Sequence, residues 1–150
     1  MDSKKKVLVV ADKTADSPDL IAALQRTSRS GASFTLVVPA VPHGLAWAAD
    51  MKAGWAEAVT RAGRAAARIR REGLELDEVI VGDPDPFAAA GDALHARQFD
   101  EVIVSVLPKG ISRWLALGLP ARLRRSVDLP VVQVTAHAAS APAEAAAVAA

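Results

Sequence analysis

The chain has 150 residues, of which 51% are hydrophobic and 23% charged, with a net charge of +1 and no cysteine. That length and balance describe one globular domain able to bury its own core, not a disordered segment. Near-neutrality gives no global field that selects nucleic acid or an anionic membrane, and the missing cysteine excludes disulfides, thiol catalysis and thiolate metal sites.

The start, "MDSKKKVLVVADKT", is basic, but its apolar run, Val7 to Ala11, is too short for a signal-peptide core. No uninterrupted apolar run of spanning length occurs elsewhere. A soluble, cytoplasmic protein is therefore expected, with neither a nucleic-acid nor a membrane partner.

Lys5 to Ala11 is a continuous, β-branched apolar run, the pattern of a strand covered on both faces. A helix follows, with Leu20, Ile21 and Leu24 on one side, Ser17 or Asp16 as its cap and Pro18 in its first turn. Ser33 to Pro39 is the second strand. The connection "VPHGLAWAADMKAG" leads to a long helix that ends at "RIRREG", where Gly73 stops it and the basic residues suit its C-terminal dipole. "LELDEVIVGD" is the third strand, and a third helix begins near Pro84 or Pro86. "FDEVIVSV" is the fourth strand. "SRWLALGLPARLRRSV" reads as helix, kinked or split by Pro120, and "LPVVQVTA" is the fifth strand.

Strands that alternate with helices form right-handed crossovers, and so an α/β domain: a doubly wound, open parallel five-stranded sheet with helices on both faces. Residues 1–136 form this domain, and 137–150 an alanine-rich flexible tail. Ligands of such sheets lie outside the carboxyl ends of the strands, which directs attention to Ala11–Thr14, Pro39–Gly44, Gly82–Pro86 and Ser105–Ser112.

From Lys5 to Thr135 the chain resembles the universal stress protein family. The resemblance is carried by Asp12 at the end of strand one, "VGDP" (Val81 to Pro84), "FDEVIVS" and the closing strand "LPVVQV". It implies strand order 3-2-1-4-5, as in flavodoxin-like and adenine-nucleotide-hydrolase-like sheets, and homodimers paired through the last strand, here Leu129 to Thr135. Family members that bind ATP carry a loop of glycine, two residues, glycine, nine residues, then glycine followed by serine or threonine. Those positions are Ser105, Pro108, Gly118 and Leu119 here, so only Gly118 matches. Pro108 has no N–H to offer a phosphate, and Ser105 has a Cβ where glycine permits close approach.

The ligand positions to which the fold and the resemblance point are Ala11, Asp12, Val38, Pro39, Ser105, Lys109, Gly110, Ser112, Arg113 and Gly118. Asp12 has two readings, a ligand contact or a carboxylate that orders the turn after strand one. Lys109, Ser112 and Arg113 sit where a switch-point anion would lie, in a stretch from Val102 to Val127 without Asp or Glu. Arg122, Arg124 and Arg125 read as a solvated helix face, and Trp114 as core rather than a base-stacking platform. Asp83 and Asp85 read as helix caps in preference to metal ligands. His43, in the loop after strand two, could reach the pocket mouth; His95 reads as helix surface and His137 as tail. No nucleophile elbow, P-loop, dinucleotide fingerprint or zinc spacing occurs, so neither a catalytic nor a metal-binding residue is assigned.

The expectation is a non-enzymatic, dimeric, universal-stress-like module in stress response or regulation. It would act through an unidentified protein partner and a small anionic ligand, with no resident cofactor. Two alternatives stay open: an ATP or AMP sensor with an altered loop, and a small nucleotide hydrolase or transferase on the same fold.

Overall fold

The structure is a computed structural model and describes residues 4–40 and 51–137, with the backbone alone at 51–53. His43, Trp47 and the remainder of 41–50 lie outside the described residues, as do 138–150 of the expected tail.

Five strands, β1 (Lys5–Val10), β2 (Ala32–Pro39), β3 (Leu76–Gly82), β4 (Glu101–Val106) and β5 (Val131–Thr135), form one parallel sheet of order β3-β2-β1-β4-β5. Val7 to Val10 are wholly buried, so the most apolar strand takes the centre, covered on both faces. β5 begins at Val131, two residues later than the sequence pattern suggests. Pro130 has no N–H for the ladder, although its carbonyl accepts from the Val102 amide at 2.9 Å.

The helices are α1 (Pro18–Ser28), α2 (Met51–Arg71), α3 (Pro86–Ala96), α4 (Arg113–Ala116) and α5 (Leu119–Ser126). Ser17 caps α1 by accepting from the Leu20 amide, and Asp85 caps α3 by accepting from Phe87. Asp83 in turn accepts from the Asp85 amide, which accounts for both carboxylates of "GDPDP". The expected split of the last helical stretch is present, but Gly118 makes it. Gly118 is left-handed at φ +68°, while Pro120 occupies the first turn of α5, where a missing N–H breaks no helical bond.

One sheet face presents Val7, Val9, Phe34, Leu36 and Ile103 to α1 and α2, which answer with Leu20, Leu24, Ala62, Ala65 and Ile69. The other presents Leu8, Val10, Val102 and Val104 to Ala89, Ala90 and Ala93 of α3 and to Trp114, Leu119 and Leu123. The alanines let α3 lie close to the sheet; a Cβ on Gly82 would come within 3.1 Å of Ala89 Cβ. No described helix is long and apolar enough to cross a membrane.

Candidate functional site

The chain leaves β1 toward β2 on one side, while β4 lies on the other, so the loops after β1 and β4 diverge and open a crevice. The crevice measures about 180 Å³ and is lined by Asp12, Lys13 and Thr14 from the first loop and by Ser105 through Leu107 and Ile111 through Trp114 from the second. Its floor is polar. Thr14 Oγ1 and Ser105 Oγ lie 2.5 Å apart, both buried, and join the two strand ends side chain to side chain.

Asp12 sits at one wall, and its Oδ1 is 2.8 Å from Nη1 of Arg61, an α2 residue. The carboxylate and guanidinium are 12% and 21% exposed, so the pair is largely withdrawn from water and each charge offsets part of the other's desolvation. The Asp12 carbonyl also accepts from the Ala15 amide, which closes the turn after β1. Neutralised by Arg61, Asp12 adds little repulsion toward an anion. Lys13 and Arg113 then give the lining a positive excess.

The loop after β4 turns two of its amides back on itself. The Pro108 carbonyl accepts from both Ile111 N, at 3.1 Å, and Ser112 N, at 3.0 Å. Ser112 Oγ accepts from Leu115 N to cap α4, and Gly110 turns the chain at φ +98°. Two amides that would otherwise point at a phosphate are thus already bonded.

Of the sequence-predicted positions, Asp12, Ser105, Ser112 and Arg113 come together in the crevice. Lys109 and Gly110 are exposed and outside its lining. Ala11, Val38 and Pro39 are buried in the sheet: the Ala11 amide bonds the Val37 carbonyl, and Pro39 stands opposite Gly82 in the ladder. Gly118 shapes the α4–α5 break and is not part of the lining. Trp114 is buried in the second core and also walls the crevice.

The late arginines are structural where contacts define them. Arg124 donates twice to the Val131 carbonyl, and Arg122 stacks 4.2 Å from the Phe87 ring centroid. His95 Nδ1 lies 2.7 Å from the Gly91 carbonyl on the helix surface. His137, assigned to the tail, has its amide bonded to Asp19 Oδ2. Among the described residues no cluster of His, Asp and Glu is placed to hold a metal ion.

Sequence reasoning missed Arg61, Lys13 and Thr14. Lys13 and Thr14 fall in the loop already singled out, one and two residues after Asp12. Arg61 lies on a distant helix with no local signal.

No family model and no curated protein sequence matches the chain. Solved structures do. A universal stress protein from Archaeoglobus fulgidus superposes with a TM-score of 0.60 at 20% identity, covering 87% of this chain and 93% of that one. A universal stress protein in complex with cAMP gives 0.57 at 22% identity, covering 89% and 99%. An AMP-bound family protein from Arabidopsis thaliana gives 0.56 at 14% identity, covering 89% and 93%. The class is thus an open, doubly wound α/β sheet with its crevice between β1 and β4. Within that class, the chain has the universal stress protein fold, in the strand order that its motifs imply.

Proposed function

We propose that this chain is a divergent universal stress protein acting in the cytoplasm as a non-enzymatic, homodimeric regulatory module. It works through protein association, and its crevice takes a small anion by side chains instead of a nucleotide by backbone. The observation that carries this reading is the closure of the Ile111 and Ser112 amides on Pro108. A triphosphate needs free main-chain donors, and here Pro108 has none to give while the Ile111 and Ser112 amides are committed to its carbonyl. The volume agrees: about 180 Å³ lies below the roughly 300–1000 Å³ typical of small-molecule pockets. Lys13, Arg113, the Ser112 hydroxyl and the one proton left over by the Thr14–Ser105 bond suit a group no larger than a single oxyanion.

Pairing through β5 is favoured by the difference between the two free edges. β5 carries no charged residue, and Val132 is exposed. β3 carries Asp77 and Glu78 just after its first residue, where they make ion pairs with Lys6 and Arg97, and such charges blunt an edge.

A second reading, an adenine-nucleotide sensor, is favoured by the neighbours that hold cAMP, dAMP or AMP. Thermal melts with phosphate, ATP, AMP and cyclic AMP separate the two. Stabilisation by phosphate alone supports the anion module; a rise of several degrees with any nucleotide at millimolar concentration, against none with phosphate, establishes the sensor. Light scattering at micromolar concentration tests the dimer, and a monomer there removes the β5 pairing.

A further inference from the structure

At the amino ends of β1 and β4, on the side of the sheet away from the crevice, lies an open cavity of about 1210 Å³. It is walled by α3 and α5. Its apolar lining consists of Phe87, Leu94, Phe99, Leu123, Val127 and Leu129. Leu123 is buried, but the other five are only partly covered, so the second core is left unsealed here. Retained apolar exposure of this kind, in a concavity and not scattered singly, marks a binding surface.

Gly91 adds an independent observation. It lies inside α3 and lines the cavity, and a Cβ built on it meets nothing within 4 Å. Neither a close approach nor a left-handed backbone requires glycine there, although glycine weakens a helix interior. What its missing side chain leaves is room within the cavity.

The rim defines the other half of the ligand. Lys4, Lys5, Lys6 and Arg97 line the cavity against two carboxylates, Asp100 and Asp128. Asp100 is partly committed, since Oδ2 accepts from the Lys6 amide. The cations make surface ion pairs with Glu75, Glu101, Asp77 and Glu78, and pairs as exposed as Lys4–Glu75 and Lys6–Asp77 hold their partners weakly. Among the lining side chains four cations stand against two carboxylates, so an apolar body with an acidic head fits where that head displaces Asp77 from Lys6 and Glu78 from Arg97.

We propose that this cavity binds an amphipathic monocarboxylate, an acyl chain laid against Phe87, Leu94 and Phe99 with its carboxylate at the lysine rim. The test uses the full chain with decanoate, decanol and decyltrimethylammonium, read by calorimetry and thermal melting. Decanoate is expected to raise the melting temperature by about 3–6 °C at roughly ten times its dissociation constant. Decanol, lacking the charge, binds about tenfold more weakly, and the cation does not bind. Gly91→Leu fills the space, melts no lower than the parent and loses the decanoate response. The double variant Lys6→Gln/Arg97→Gln keeps the cavity and loses about three- to tenfold in decanoate affinity, which tests the rim without depending on Gly91. The proposal is overturned by an absent decanoate shift, by an undiminished one in a folded Gly91→Leu protein, or by equal binding of decyltrimethylammonium.

Discussion

The two ends of the sheet differ in the opposite sense from what the fold leads one to expect. At the carboxyl end, where ligands of such sheets bind, the crevice among the described residues measures about 180 Å³, between hydroxyls already bonded to each other and a loop closed on its own carbonyl. At the amino end, about 1210 Å³ stands open above partly covered apolar side chains and a helix glycine. Topology places a crevice, but the side chains and amides of the particular chain decide whether it has capacity to spare.

Substitution should expose this contrast, since the filled end loses stability when altered and the open end does not. Trp114→Ala, which removes a buried wall shared by crevice and core, is expected to cost about 3–5 kcal/mol in urea unfolding. Arg61→Met removes the guanidinium 2.8 Å from the largely buried Asp12 carboxylate. Its cost is about 2–3 kcal/mol, below that of a fully buried pair because Arg61 keeps 21% exposure, and Asp12→Asn in the same chain restores part of it. Ser105→Ala strands the Thr14 hydroxyl and costs about 1–3 kcal/mol. Gly91→Ala reverses the sign, gaining about 0.5–1 kcal/mol because the methyl group meets only open space. A loss at Gly91 as large as that at Ser105 would erase the distinction between the two ends.

The architecture was legible because its signals are local. The apolar run of β1 placed it at the centre, and Ser17 and Asp85 announce the starts of α1 and α3 within a few residues of the side chains they cap. The candidate site was half legible. Asp12, Ser105, Ser112 and Arg113 could be read from their positions after strands. Ala11, Val38 and Pro39 follow the same rule, yet their backbone and side chains belong to the sheet interior. Arg61 could not be read at all, because helical spacing sets which face a residue occupies and not which distant carboxylate its flexible stem reaches. The closure of the loop on Pro108 was hidden for a related reason. A proline announces the donor it lacks, but not the acceptor its carbonyl becomes.

Asp77 and Glu78 have a bearing on stoichiometry. A sheet with two receptive margins can add copies without limit and grow into a fibre, whereas one with a single receptive margin exhausts itself after one encounter. With both acidic side chains near the start of β3 and held there by Lys6 and Arg97, a pair joined through β5 would turn a charged, ion-paired margin outward on either flank, and polymerisation would stop there.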